Sequence, residues 1–255
     1  MGLFGFGEQA TIYLPGCYSL AFLSDKVQNY KNILKRLNID FRFIEEQLCC
    51  AGCLIDLGYE TPARKIARDN LSFFKEKKIK KIITNCPLCL NSFSNEYKSM
   101  LPDWEIETEF ILKTIFEEIK QDNELIKYFS NEKVVYYDSC QLGRYSKIYD
   151  APRELLKLMG YNLVEMNQTK EETPCCGSCG QLDITNPELA KKIALNFLRQ
   201  IKKTTVRKII TADPRAYWHL KNIIDLEKID IQLIEFSEIL CDSLDIEKTD
   251  NEQTI

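Results

Sequence analysis

The sequence has a single histidine among its 255 residues. Because imidazole is a common ligand of zinc, copper and nickel, any site with several metals would have to depend on thiolates here. The chain also lacks a run of about 18 apolar residues, which argues against a direct membrane span. It has no GxGxxG sequence after a strand-like segment, no flavin motif and no ferredoxin-type C-x2-C-x2-C-x3-C run. Dinucleotide binding and ferredoxin-type clusters are therefore not indicated.

Neither sign of charge is in large excess. The sequence has 34 Lys and Arg against 38 Asp and Glu, which gives a net charge of −4. Nucleic acid is disfavoured as a partner, because phosphate binding needs a basic surface. The N-terminal segment lacks the basic and apolar regions of an export signal, and Phe6 replaces the Ser or Thr of an N-myristoylation signal. We therefore expect a cytoplasmic protein.

Cysteine, in contrast, is abundant, with 11 residues. Disulfides are rare in a reducing cytosol, and a chain of this length can build a hydrophobic core without them. The odd number leaves at least one thiol unpaired. We therefore interpret the cysteines as ligands of a metal centre or as redox groups, and the scarcity of histidine favours iron–sulfur clusters or zinc.

The chain contains an internal duplication of alternating strand-like and helix-like segments. Matching sequences in the two copies lie 123 to 127 positions apart, which makes coincidence improbable. The matching pairs are Cys17 with Cys140, Cys49-Cys50 with Cys175-Cys176, Ile82-Ile83-Thr84 with Ile209-Ile210-Thr211, and Glu109-Phe110 with Glu235-Phe236.

This repetition predicts an α/β fold of two pseudo-repeated halves, residues 9–125 and 131–242, followed by a polar tail over 243–255. Alternating strands and helices favour mostly parallel sheets with right-handed crossovers. Strand-like segments at 40–46 and 161–166 precede the two Cys-Cys pairs. We expect a metal site at the carboxyl ends of the strands, where open parallel sheets place their ligand sites.

Five cysteines of the first half follow predicted strands and are expected to converge at that edge. Five thiolates are too many for one tetrahedral zinc and suit a cluster of several irons. Two alternatives remain open: a zinc clip with spectator thiols, and a thioredoxin-like disulfide within the CxxC sequence. The five cysteines are Cys17, Cys49, Cys50, Cys86 and Cys89.

This spacing resembles that of the cysteine-rich CCG-domain family, which has a Cys, a Cys-Cys-Gly and a CxxC in each of two copies. The family includes the cysteine-rich subunit of heterodisulfide reductase and the iron–sulfur subunits of lactate- and glycolate-oxidising complexes. The resemblance implies a non-cubane [4Fe–4S] cluster held by the five cysteines of the first half. In the heterodisulfide reductases, such clusters are where a disulfide is split.

The sequence departs from the family pattern in both copies. Ala51 occupies the position of the signature glycine in the first copy, and Asp213 and Ala216 replace the last cysteine pair in the second. An additional cysteine, Cys53 or Cys179, follows each Cys-Cys pair. Zinc or a second cluster in the second half would therefore use an altered ligand set, or these thiols are remnants of a lost site. The altered set is Cys140, Cys175, Cys176 and Cys179, with Asp213 as an alternative carboxylate ligand.

Five further residues could be functional or structural. His219 follows the altered motif, and we expect it to be an ordinary surface or core residue rather than a ligand. Cys241 lies in an apolar run and is expected to be a buried structural thiol. Arg144, Lys147 and Arg215 lie near the predicted cysteine loops. They would bind an anionic substrate, or else be solvated or balance the charge of thiolates.

Taken with the resemblance, the sequence predicts an iron–sulfur oxidoreductase subunit for thiol/disulfide redox chemistry or electron transfer. Since no second electron-carrying motif is present, it would need a redox partner subunit or a ferredoxin or flavoprotein electron carrier. Its pathway would involve a small-molecule disulfide or a hydroxyacid. The alternatives are an electron-relay subunit of a lactate- or glycolate-oxidising complex and a zinc-stabilised scaffold without redox activity.

Overall fold

The computed structural model describes residues 10–44 and 48–249, so the predicted polar tail lies within it only as far as residue 249. In this part of the chain, eight strands form two four-stranded sheets in which every pairing is parallel. The strand order is β2-β1-β3-β4 in the first sheet and β6-β5-β7-β8 in the second. The strands are β1 Ala10–Tyr13, β2 Arg42–Phe43, β3 Ile79–Thr84, β4 Glu107–Phe110, β5 Lys133–Tyr136, β6 Asn162–Leu163, β7 Lys208–Thr211 and β8 Gln232–Glu235.

Helices connect the strands, as crossovers between parallel strands require. The α-helices are α1 Cys17–Phe22, α2 Ser24–Arg36, α3 Gly52–Asp56, α4 Glu60–Glu76, α5 Pro87–Asn91, α6 Tyr97–Met100, α7 Ile111–Gln121, α8 Asp150–Leu158, α9 Leu182–Thr185, α10 Pro187–Lys202, α11 Pro214–Leu226 and α12 Phe236–Ser243. There are also π-helical turns at Ser92–Glu96 and Gln141–Tyr145, and 3-10 turns at Asn123–Leu125, Lys170–Glu172 and Cys179–Gln181.

The two sheets have the same order because each is built from one copy of the repeat. Strands β3 and β7 lie inside the sheets and carry the matching Ile-Ile-Thr sequences, whose side chains are buried. Such β-branched apolar runs are typical of parallel strands that are covered on both faces. The prediction of an α/β fold with two repeated halves and parallel sheets is confirmed. The limits 9–125 and 131–242 stay a prediction.

The edge strands β2 and β6 are much shorter than the sequence indicated, with two residues each. An edge strand pairs on one side only, and both segments are partly exposed. The predicted strand over 40–46 therefore ends at Phe43, and its last residues lie outside the described part of the chain. As a result, loops rather than strand ends carry the two Cys-Cys pairs.

The two halves pack through reciprocal contacts. Helix α2 of the first half contacts α12 of the second, and their counterparts α8 and α7 contact each other in the same way. Similarly, α1 contacts α11, and α5 contacts the π-helical turn at 141–145. Such exchanged pairs are typical of an approximately two-fold arrangement.

A continuous apolar core fills this junction, with buried residues from both halves such as Ile115 of α7 and Leu155 of α8. A hydrogen bond of 2.9 Å also crosses it, from the Tyr30 hydroxyl to Oε1 of Glu235. The cysteine-bearing segments of the two halves therefore face each other. Within the described residues, no helix combines the length and the apolar character needed to cross a membrane.

Candidate functional site

A cavity of about 70 Å³ lies between the two halves. It is several times larger than the ~10–15 Å³ that one water molecule requires. Cysteines from both halves line it, together with polar side chains from the second half. The lining cysteines are Cys17, Cys49, Cys50, Cys53, Cys86 and Cys89 from the first half and Cys140, Cys176 and Cys179 from the second.

The first strand of the chain delivers Cys17 to this cavity. Strand β1 is followed by Gly16, and Cys17 then begins α1. Gly16 has φ 83°, a left-handed conformation that favours glycine. A Cβ atom on Gly16 would lie 3.0 Å from Cβ of Cys86 and 3.1 Å from Sγ of Cys89. The close approach of Cys17's segment to the CxxC sequence therefore depends on glycine at position 16.

The CxxC sequence opens the helical segment after β3. Cys86 is the N-cap of α5 and Pro87 occupies its first turn, where proline is favoured. The N–H of Cys86 donates to Oγ1 of Thr84 over 3.1 Å, which fixes the turn from strand to helix. Cys89 lies one turn further on and is buried. The start of a helix leaves backbone N–H groups without intrahelical partners, and the CxxC sequence lies beside them.

The Cys49-Cys50 pair reaches the cavity through a tight turn. Ala51 has φ 58°, and its N–H donates to Sγ of Cys49 over 3.3 Å. The next residue, Gly52, packs against the CxxC helix: a Cβ atom there would lie 2.6 Å from Cγ of Leu88. Ala51 therefore adopts the left-handed conformation for which the family signature uses glycine, at the expense of backbone strain.

The thiols of the first half are close enough to influence one another's ionisation. A hydrogen bond from the Cys89 thiol, opposed by burial and assisted by the Gly52 N–H, lowers the pKa of Cys50 to about 7. The same hydrogen bond is the largest cause of the raised pKa of Cys89. Burial, followed by the charges of neighbouring cysteines, raises the pKa of Cys17 to about 12. Simultaneous ionisation of these thiols therefore requires a compensating cation, as a bound metal provides.

The second half repeats part of this arrangement. Gly177, with φ 100°, donates its N–H to Sγ of Cys175 over 3.3 Å, the same distance as in the first copy. The thiol of Cys140 forms hydrogen bonds with those of Cys175 and Cys179, and these bonds are the largest causes of its raised pKa. Hydrogen bonds from Cys140, Cys176 and Cys179 lower the pKa of Cys175. The four predicted cysteines of the second half thus lie together.

Asp213 occupies the place of Cys86 but has a different role. Its Oδ1 accepts from the N–H groups of Arg215 at 3.0 Å and Ala216 at 3.2 Å, so it is the N-cap of α11. Burial raises its pKa despite these bonds. The carboxylate is thus engaged in capping, and the interpretation of Asp213 as a metal ligand receives no support from its contacts.

The structure gives different surroundings to the other residues for which the sequence suggested a role. Arg144 donates to the carbonyl oxygens of Glu171 and Thr173, which makes it a loop anchor, and Lys147 is exposed. Cys241 is fully buried in the core between the halves, as expected. His219 is half-buried on α11, and burial is the main cause of its lowered pKa.

Three residues that line the cavity were not singled out as a group from the sequence: Asp56, Gln181 and Arg215. Gln181 donates to Oδ2 of Asp56 over 3.3 Å, and Nη1 of Arg215 donates to Oε1 of Gln181. These contacts tie the second half to the first beside the cysteines. The repeat offset of 127 makes Arg215 the counterpart of Leu88 in the sequence. The sequence carries no signal for its contacts across the halves.

In residues 10–44 and 48–249, no three Cys, His, Asp or Glu side chains are positioned to hold one metal ion. A cluster differs from a single ion because its ligands surround several metals rather than one. The first half fits such a group in donor chemistry: five thiols, delivered by three separate segments, line one cavity. The helix-start position of Cys86 and the contacts among the thiols point to the same class of ligand.

Comparison with known proteins adds an independent observation. The family model described as "CCG: Cysteine-rich domain" matches residues 11–94 and 134–221. One subunit of the dihydromethanophenazine:CoB–CoM heterodisulfide reductase of Methanosarcina mazei is 28% identical over 248 residues, which cover 92% of this chain and 59% of that protein. The resemblance to the CCG-domain family and its heterodisulfide reductases is thus confirmed.

Two further relatives are iron–sulfur or quinone-linked oxidoreductase proteins. The "probable glycolate oxidase iron-sulfur subunit" of Bacillus subtilis is 26% identical over 223 residues, 83% of this chain and 49% of that protein. The EtfAB:quinone oxidoreductase of Syntrophomonas wolfei is 30% identical over 186 residues, 71% of this chain and 25% of its own length. The chain therefore spans between a quarter and three-fifths of these relatives, and it is similar to proteins of oxidoreductase systems.

Proposed function

The chain belongs to the cysteine-rich CCG-domain family, and on that basis we propose that it is an iron–sulfur oxidoreductase subunit whose first half binds a non-cubane [4Fe–4S] cluster. The observation that carries the proposal is the convergence of Cys17, Cys49, Cys50, Cys86 and Cys89 on one cavity. These are the five positions at family spacing, and the relatives are subunits of oxidoreductases.

The five cysteines would hold the cluster, and a bound cluster of this kind supplies one-electron oxidation and reduction at the cavity. The protein contributes the thiolates and their surroundings. The N–H of Ala51 donates to Cys49, and Cys86 lies at the N-cap of α5, next to the backbone N–H groups that a helix start leaves without intrahelical partners. Leu88 packs against Gly52, and the neighbouring Cys50 is buried.

In the second half, we propose Cys140, Cys175, Cys176 and Cys179 as a second candidate site for another cluster or, after their side chains rearrange around one ion, for zinc. The proximity of Cys140, Cys175 and Cys179, whose thiols shift one another's pKa, supports this proposal. The loss of the CxxC pair and the capping role of Asp213 leave this site with fewer ligands than the first. We place the redox chemistry in the first half for that reason.

The activity we propose is thiol/disulfide redox chemistry on a small-molecule disulfide, since the relative from Methanosarcina mazei belongs to a heterodisulfide reductase. Electron relay in a hydroxyacid-oxidising complex is the second candidate, and the similarity to a glycolate oxidase iron-sulfur subunit favours it. In both cases electrons would pass between the chain and a redox partner subunit, or a ferredoxin or flavoprotein carrier. A reducing cytoplasm would keep its thiols free.

Anaerobic purification with analysis of iron, acid-labile sulfide and zinc tests the cofactor. We expect about four irons and four sulfides per chain for the first-half cluster. Stoichiometric zinc without labile sulfide would instead support the zinc-stabilised scaffold. Assay of the isolated chain with a reduced dye and a small-molecule disulfide then separates the activities. Turnover supports disulfide chemistry, and a reducible cluster without turnover supports electron relay.

A further inference from the structure

Arg215 of the second half extends to the cysteines of the first. Its Nη1 donates to Sγ of Cys53 over 3.8 Å, and its guanidinium lies over the ring of Tyr18, 5.4 Å from the centroid. Both contacts cross from one half to the other, and Tyr18 directly follows the proposed ligand Cys17. Arg215 and Tyr18 also line the cavity. A fixed positive charge therefore stands in the wall of the proposed cluster site.

The position of this charge follows from the duplication. Arg215 corresponds to Leu88, the residue inside the CxxC sequence of the first half. In the second half that sequence has become Asp-Pro-Arg-Ala, in which Asp213 caps the helix and Arg215 faces the other site. The altered motif thus has a helix cap and an alanine in place of its two thiols, and a cation in place of the leucine between them.

The partner of Arg215 fixes its orientation. Oδ1 of Asp183 accepts from Nη2 over 2.6 Å, and both side chains are mostly buried. Asp183 is not among the residues that line the cavity, whereas Arg215 is. The ion pair therefore presents its positive end to the thiols and its negative end away from them. Two further acidic side chains line the cavity: Asp56, which Gln181 engages, and Asp213, whose Oδ1 accepts from the backbone N–H groups of Arg215 and Ala216.

We propose that Arg215 is a positioning residue that raises the reduction potential of the cluster bound by the first half. This rests on the cluster assignment made above. Reduction adds one negative charge, and a nearby cation stabilises the reduced form more than the oxidised one. At an effective dielectric constant of about 20, a unit charge about 12 Å away changes such an equilibrium about tenfold.

The test is the midpoint potential of the anaerobic full-length protein, measured by redox titration with spectroscopic detection. Arg215→Gln is expected to lower the potential by an amount equal to about a tenfold change in the ratio of reduced to oxidised cluster, about 59 mV for one electron. Asp183→Asn is expected to raise it, because the cation then loses its counter-charge. Arg215→Lys keeps the positive charge and should restore most of the original potential.

Arg207→Gln is the matched control. Arg207 precedes β7 whereas Arg215 follows it, and among the described residues the side chain of Arg207 donates only to the backbone oxygens of Thr204 and Val206. Its loss should leave the potential unchanged. The inference would be overturned if the midpoint potential moved in the same direction in the Arg215→Gln and Asp183→Asn variants, or if it stayed unchanged in one or both of them. The cluster assignment would remain intact. Absence of iron and sulfide from the unsubstituted protein would overturn the cluster assignment itself.

If Arg215→Gln protein does not retain a cluster, Asp183→Asn and Arg215→Lys still decide the matter. A raised potential in the first, with near-original potential in the second, supports the proposal. An unchanged potential in Asp183→Asn contradicts it.

Discussion

The N–H of Ala51 donates a hydrogen bond to Sγ of Cys49, two residues earlier in the chain, across 3.3 Å. Gly177 and Cys175 form the same bond at the same distance in the second half. Both turns need a left-handed residue, at φ 58° and φ 100° respectively. The duplication has thus preserved a hydrogen bond to the first sulfur of each pair, although only one copy keeps the signature glycine.

The two turns should respond differently to exchange of their residues. A Cβ atom on Gly177 would lie 2.4 Å from the carbonyl oxygen of Ala190, so Gly177→Ala combines backbone strain with a clash. We expect it to lower the free energy of unfolding by about 3 kcal/mol. Ala51→Gly relieves strain of about 1–2 kcal/mol but adds unfolded-state entropy, so its effect should stay within about 1 kcal/mol. Anaerobic urea denaturation measures both, and equal effects would contradict this account.

Substitution of Gly52 tests the packing of the Cys49-Cys50 turn against the CxxC helix. Its Cβ atom would lie 2.6 Å from Cγ of Leu88 and 2.8 Å from Oγ of Ser92, which places the Cys49-Cys50 turn against the CxxC helix. We expect Gly52→Ala to lower the free energy of unfolding by about 1–3 kcal/mol, by overpacking. Adding Leu88→Ala should recover part of that loss because it makes room for the new methyl group. Denaturation of the two single variants and the double variant measures this. If Gly52→Ala lowers the free energy of unfolding as much in the Leu88→Ala protein as in the original protein, the steric explanation is contradicted.

Gly58→Ala is a useful comparison for Gly52→Ala. Gly58 has φ 79°, and a Cβ atom there meets nothing within 4 Å. Its substitution therefore tests backbone strain without a clash, at an expected cost of about 1 kcal/mol. Leu88→Ala should not rescue it.

The buried carboxyl of Glu235 makes stability depend on pH. Burial raises its pKa from 4.5 to about 7, although hydrogen bonds from Ser237 and Tyr30 oppose the rise. The folded state therefore holds this proton more tightly than the unfolded state. The contribution to stability is fully present below pH 4.5 and is lost as pH rises through about 7. The loss is on the order of 3 kcal/mol.

Glu235→Gln should remove this pH dependence, because the amide cannot ionise and can still accept from Tyr30. Denaturation curves between pH 5 and pH 8 would then give a flatter profile for the variant than for the unsubstituted protein. Glu171→Gln, at an exposed glutamate, should leave the profile unchanged. A Glu235→Gln profile parallel to that of the original protein would show that Glu235 ionises alike in the folded and unfolded states.

Much of the fold could be predicted because the relevant signals are local. The repeated Ile-Ile-Thr strands and the Cys spacing identify two parallel α/β halves and the cysteines that follow their strands. The capping role of Asp213 was also within reach, since Asp before Pro is a typical helix start. The shortness of β2 and β6 was not, because pairing at a sheet edge depends on neighbours distant in sequence.

The shared cavity could not be predicted for the same reason. It arises where α1 meets α11 and where α5 meets the turn that begins at Gln141, and such contacts between halves leave no periodic pattern in either one. Arg215 shows which features can be predicted from the sequence and which cannot. Its position in the repeat is readable from the sequence, whereas its contacts with Tyr18 and Cys53 depend on how the halves pack.

The most direct test of the central claim is the iron and acid-labile sulfide content of two double variants purified without oxygen. In Cys86→Ser/Cys89→Ser, two of the five proposed ligands are lost, and the account predicts loss of the first-half cluster and its absorbance. In Cys140→Ser/Cys179→Ser, at the equivalent cavity wall of the second half, it predicts that the first-half cluster remains. Full iron and sulfide in the first variant, together with their loss in the second, would contradict the assignment of the cluster to the first half.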